Sequence, residues 1–225
     1  MYSCDIPKSK RKTPLTVVLQ SYNNKAELDY LIDLLHNRAK AKVVILEKGS
    51  LKKSDFPKTV TFHRLGNKGR ELGAFLWYVV KYYSQLKGSY IFASANIGKH
   101  DRIGIICDLL KTRKKFQCND WGDEVEYGAE YAEYDFQVDE YLGQQLLPAV
   151  VRPFGAWYTK YVGRWETYIS KHPVCFNGVF KTHASYLRKR DPKFYKRISK
   201  QVHAHNAPEV GHYLERAVSP VFGPN

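Results

Sequence analysis

Three short stretches hold residue types that a nucleotide site needs. Gln20 to Asn23, Glu47 to Ser50 and Ser94 to Asn96 each follow an apolar run. A nucleotide asks for a flat slot for its base, hydrogen-bond partners for base and ribose, and cations or backbone N–H groups for its phosphates. Tyr22 and Asn23 can flank a base, and Glu47 can accept from a base N–H or a ribose hydroxyl. "GNKGR" (66–70) offers Asn67, Gly69 and Arg70 where a helix begins. Ser94 and Asn96 add a hydroxyl and an amide. Asn96 is a neutral oxygen ligand, whereas a divalent cation on a diphosphate normally takes a carboxylate. Asp101 is the nearest one, but it stands where an amphipathic helix needs its N-cap, and His100 beside it reads as a loop residue.

A second set lies near the end of the chain. Glu209 and His212 are three apart in "PEVGHYLER", so they share a helical face, and a carboxylate beside a cleft can take a proton from a hydroxyl. The same spacing also describes an ordinary solvated face. Tyr127, Tyr131, Tyr134, Trp157 and Trp165 are interleaved with acids and can stack on a sugar, or simply fill a core.

The elements that position these residues follow from hydrophobic period. "LTVVLQ" (15–20) is the β-branched apolar run of a central parallel strand. Leu28, Leu31, Ile32 and Leu35 then recur at helical spacing, behind an Asn24/Glu27 capping box. "AKVVILEKGS" and "TVTFHRL" read as strands. A helix from Gly69 to Leu86 keeps Leu72, Phe75, Leu76, Val79 and Val80 on one face. "SYIFAS" is a fourth strand, followed by a helix capped at Asp101. Alternation over about 115 residues predicts an α/β, Rossmann-like, doubly wound and mostly parallel sheet flanked by helices, with its ligand at the strand carboxyl ends. Beyond it, a helix is expected near "VDEYLGQQLL", a strand at "PVCFNGVFKT" and a basic helix after it. A last helix should carry Val210, Tyr213, Leu214 and Ala217 on its apolar face, leaving Glu209, His212 and Arg216 together on another.

Bulk composition narrows the classes. With 225 residues, 44% of them hydrophobic, the chain has enough apolar material for a packed core, which excludes wholesale disorder. The net charge of +14 points to anionic partners, but residues 119–140 hold nine acids and no Lys or Arg, which argues against a nucleic-acid surface. No apolar run reaches membrane-span length and the first residues lack a signal-peptide core, so the chain is expected to be cytoplasmic, with peripheral membrane contact left open. Cys4, Cys107, Cys118 and Cys175 show no CxxC spacing and read as reduced thiols.

"TVVLQSYNNKAELDYLIDLL", "VVILEKGS" and "NKGRELGAFLWYVVKYYSQLKGSYIFASAN" together resemble the A-fold glycosyltransferases, the nucleotide-diphospho-sugar transferases, in order and spacing. A closer resemblance is to the domain of unknown function numbered 3431. It rests on Asn67, Gly69, Arg70, Glu71, Phe75 and Leu76, then Gly178, Phe180, Pro192, Phe194 and Tyr195, and finally Leu214, Glu215, Val221, Phe222 and Gly223. The resemblance implies a basic tail (1–14) and one domain (15–225), with a nucleotide-sugar half (15–115) and an acceptor half (116–225). The resemblance to the A-fold glycosyltransferases implies transfer of a sugar from a UDP-sugar donor to a carbohydrate or glycoprotein hydroxyl, with Gln20, Tyr22, Asn23, Glu47, Asn67, Gly69, Arg70, Ser94 and Asn96 on the donor. Mn2+ or Mg2+ would be held by Asn96 and His212. Glu209 would be the base, with Glu215 the alternative. Ser94-Ala95-Asn96 depart from the family's Asp-x-Asp, and Ser219 or its neighbours stand where the family tends to have Trp. The rival function is a non-catalytic module that binds a nucleotide-sugar or glycan through a degenerate metal site.

Overall fold

The computed structural model describes residues 4, 14–98, 101–118, 132, 146–165, 175, 178–206 and 208–224. The element order is β1 (Leu15–Ser21), α1 (Lys25–Ile32), a π-helical turn (Asp33–Arg38), β2 (Lys42–Glu47), β3 (Thr61–Arg64), α2 (Arg70–Tyr82), β4 (Ser89–Ser94), α3 (Arg102–Lys111), β5 (Gln117–Cys118), α4 (Phe154–Tyr161), β6 (Phe180–His183), α5 (Ala184–Leu187), α6 (Pro192–Val202), α7 (Glu209–Arg216) and α8 (Val218–Phe222).

One sheet of order β3-β2-β1-β4-β6-β5 runs through the molecule. β1 is buried along its whole length because alternate side chains feed two cores. Val17 and Leu19 pack with Leu28, Leu31 and Ile106 beneath α1 and α3, while Val18 packs with Phe75, Leu76 and Val79 of α2. The helices of the second half close over α2: Tyr195, Tyr213 and Phe222 belong to the same core as Phe75 and Phe92. The first four strands are parallel, as the alternation predicts, whereas β6 runs antiparallel to β4 and β5 antiparallel to β6. A returning strand of this kind pairs without a crossover helix. It is fixed by Phe180 stacking on Phe92, with ring centroids 5.2 Å apart, and by Thr182 Oγ1 donating to Phe222 O at 2.5 Å.

Four sequence expectations need correction. The cysteines are paired, Cys4 with Cys107 (Cα–Cα 5.7 Å) and Cys118 with Cys175 (5.2 Å). These partners lie 103 and 57 residues apart, so local spacing says nothing of them. Asn24 precedes α1 without capping it through its side chain, because Asn24 Oδ1 accepts from Tyr22 N–H at 3.1 Å. Asp101, at φ 45°, likewise makes no side-chain cap for α3. Among the described residues of "PVCFNGVFKT", Cys175, Gly178 and Val179 are not strand, and β6 begins at Phe180, behind Gly178 at φ 61°. Residues 138–145 of the helix expected near "VDEYLGQQLL", His100 and all of the acidic segment except Ala132 lie outside the described residues, while Leu146 and Leu147 are described and not helical. Among the described residues no helix is long and apolar enough to cross a membrane.

Candidate functional site: the carboxyl edge of the sheet

Strand register sets the floor of the site. Ser21 pairs with Glu47, Glu47 with Arg64, and Gln20 with Ser94, so these ends form one polar edge. Gln20, Ser21, Glu47 and Ser94 are all buried. Asn23 turns the chain away at φ 60°, a left-handed conformation that a non-glycine residue keeps only when its surroundings hold it. The holding contacts are mutual. Asn23 N–H donates to Glu47 Oε1 at 3.1 Å, and Asn23 Oδ1 accepts from Ser50 N–H at 2.6 Å and from Ser50 Oγ at 3.0 Å. Gly49 N–H also donates to Glu47 Oε1, and a Cβ at Gly49 would collide with Asn23 Oδ1, so any side chain there would displace Asn23 and Glu47. Glu47 is 0% exposed, and its Oε2 has no hydrogen-bond partner among the described residues. A buried oxygen left so is costly in the empty protein and ready for a donor from a ligand. Tyr22 leaves its ring 53% exposed beside it.

Cations gather on the same edge. Lys48 Nζ donates to Lys68 O and Arg70 O, pinning the turn that opens α2, and burial lowers its pKa to about 8 against the pull of Glu71. Gly69 and Arg70 both take left-handed backbone (φ 70° and 47°), and a Cβ on Gly69 would lie 2.9 Å from Val202 O. The stem of Arg70 then passes Gly211 of α7, 3.6 Å from where a Cβ would be. Next to it, burial and the charges of Arg70 and Arg216 push His212 down to about 3, so its imidazole is neutral at pH 7. Arg216 Nη1 donates to His212 O at 3.1 Å. At the end of β4, buried Arg102 donates from Nη1 to Asn96 O at 2.9 Å, and Asn96 N–H donates to Ser94 Oγ at 3.3 Å. Gly178, ahead of β6, lies against Glu71.

The strand-end residues, Arg70 and His212 are thus brought to one edge, while Asn67 is exposed on the turn before α2. Lys48, Arg102 and Arg216 are buried cations at this edge that sequence reasoning did not single out. The only available signal was a cation directly after a strand-end acid, directly after a presumed cap, and a helical turn beyond His212.

α7 departs most from expectation. Its polar face is buried rather than solvated: Glu209 is 1% exposed, His212 4% and Arg216 8%. Glu209 accepts from Ala149 N–H at 2.8 Å and from Tyr213 OH at 2.8 Å, and lies 3.0 Å from Arg152 Nε. Glu215 is half-buried on the same helix. Trp157, a candidate sugar platform, is instead core: it is 0% exposed and donates from Nε1 to Gln201 Oε1 at 3.0 Å. Trp165 packs edge-on against Phe154. Tyr127, Tyr131 and Tyr134 lie outside the described residues.

Among the described residues the donor set does not suit a resident divalent cation. Among the described residues no three His, Cys, Asp or Glu side chains cluster as metal ligands. His212 shares its surroundings with two guanidinium groups, and the backbone carbonyl of Asn96 accepts from Arg102 Nη1.

No family model matches the chain, and no curated protein matches it. Among solved structures, the galactosyltransferase LgtC in complex with donor and acceptor sugar analogues is similar at a TM-score of 0.37 and 8% identity, covering 92% of this chain and 70% of that one.

Proposed function

We propose that the chain is a glycosyltransferase acting on a nucleotide-diphosphate sugar, with uridine as the favoured base and a hydroxyl of a neutral glycan as acceptor. The observation that carries this reading is the union, at one sheet edge, of the buried, unpartnered Glu47 Oε2 with Lys48, Arg70, Arg102 and Arg216. Tyr22 and Asn23 flank the base, and Glu47 Oε2 accepts from a base N–H or ribose hydroxyl. The guanidinium groups take the diphosphate. In the transfer, the acceptor oxygen bonds to the anomeric carbon as the bond from that carbon to the phosphate oxygen breaks. The hydroxyl proton passes to a carboxylate, and the diphosphate leaves with its charge met by fixed cations. Glu209 is engaged by Ala149, Tyr213 and Arg152, so it acts as a positioning residue, and the proton is assigned to Glu215, the alternative carboxylate on α7. With the arginines meeting the leaving-group charge, no step is assigned to Mn2+ or Mg2+.

Calorimetric titration with uridine, guanosine and cytidine diphosphates, with and without a chelator, tests this. Uridine diphosphate should bind and the chelator should leave its affinity unchanged. Binding of none of the three overturns the donor assignment. The engagement of Glu209 also favours a second reading, a module that binds the donor without turning it over; such a module would bind uridine diphosphate and show no hydrolysis or transfer of any UDP-sugar.

A further inference from the structure

The amino ends of the strands, at the opposite edge of the sheet, open into a cavity of about 600 Å³. β1 is 7 residues long, about 20 Å, so a small ligand here cannot reach the strand carboxyl ends. Strand register again sets the floor: Thr16 stands between Lys42 and Tyr90, and Val44 pairs with Thr61. Tyr78 and Tyr82 from the end of α2 form one wall, with rings 4.9 Å apart. Lys87 and Arg188 stand at the rim, and among the described residues no carboxylate lines the cavity.

The hydroxyls in this cavity are not spent alike. Tyr82 OH is 2.8 Å from His63 Nε2. Tyr90 OH accepts from Lys87 N–H at 3.1 Å, which leaves its own proton to give. Tyr78 is 5% exposed and lines the cavity, yet its hydroxyl bonds to no group of the chain among the described residues. Burial raises the pKa of both Tyr78 and Tyr90, so both remain donors at neutral pH. Three cations without a carboxylate select an anion, and arginine with lysines suits phosphate. Phenol rings and hydroxyls suit the C–H faces and hydroxyls of a sugar. The volume is far more than an inorganic anion needs and falls in the range of small-molecule sites, roughly 300–1,000 Å³.

We propose that this cavity is a second binding site, separate from the carboxyl edge, for a small phosphorylated sugar, with Lys42, Lys87 and Arg188 on the phosphate and Tyr78 and Tyr90 on the sugar. The proposal does not depend on the reading of the carboxyl edge. The test is calorimetric titration of the full chain with glucose 6-phosphate, inorganic phosphate and glucose. Glucose 6-phosphate should bind one to one and at least tenfold more tightly than phosphate, with glucose undetectable. Arg188→Gln and Lys87→Gln should each weaken it about tenfold, and Tyr78→Phe, which keeps the ring, several-fold. Arg70→Gln should leave it unchanged. The proposal is overturned by absence of binding, by phosphate binding as tightly as glucose 6-phosphate, by an affinity indifferent to Arg188→Gln, or by loss of binding in Arg70→Gln. Unchanged melting of Tyr78→Phe and Arg188→Gln ties any loss to the cavity.

Discussion

Lys48 shows how much of the site is held by a residue that no motif singles out. Its ammonium reaches two backbone carbonyls of the turn that presents Arg70, in a place where burial lowers its pKa from 10.5 to about 8. The folded chain therefore releases this proton before the unfolded chain does. The stability it contributes is fully present above about pH 10.5 and is lost as pH falls through about 8. Lys48→Met should abolish that dependence: unfolding free energies from urea titration of the parent should gain on the variant by up to about 1.4 kcal/mol per pH unit across this window. A constant difference between the two would contradict the assignment. Asn23, Glu47 and Arg70 were legible as candidates because a strand end, an acid before Gly-Ser and a basic residue after glycine are local patterns. Lys48 and Arg102 were not, since a cation earns its place in such a site only from what surrounds it in three dimensions.

α7 marks where element-level reading stops. Its helical period and its two faces are plain in the sequence, and Val210, Tyr213 and Leu214 are buried as the period requires. The second face was unreadable because Ala149 and Arg152, which close on Glu209, are 60 and 57 residues away. β1 to β4 were legible for the opposite reason: a strand buried on both sides is a continuous apolar run that needs no partner to be recognised. Glu209→Gln should then cost about 2–4 kcal/mol in denaturant unfolding, since it leaves Arg152 and the Ala149 amide with a weaker acceptor, the half-exposed arginine limiting the loss. Glu215→Gln should leave stability within about 0.5 kcal/mol and lower turnover. A Glu209→Gln protein that melts like the parent but has lost turnover would make Glu209 the base instead.

At the scale of the whole molecule, the two disulfides tie residue 4 to α3 and β5 to residue 175, far along the chain. Such links are commonest in proteins that mature in an oxidising compartment. Alkylation of the denatured, unreduced chain should label none of the 4 cysteines, and peptide mapping should recover Cys4 with Cys107 and Cys118 with Cys175. Reduction should lower stability by several kcal/mol; full labelling before reduction would refute the pairing. The strongly basic chain carries buried Lys48, Arg102 and Arg216, with Arg70 beside them, at the edge where four parallel strands end, and the central claim is that this edge binds a diphosphate. Comparing uridine diphosphate with uridine on the parent, Arg70→Gln and Arg102→Gln tests this most directly. The diphosphate should bind the parent at least tenfold more tightly than the nucleoside, and each substitution should remove most of that difference while leaving uridine unaffected. Equal affinities for the two ligands, or a preference that survives both substitutions, would contradict it.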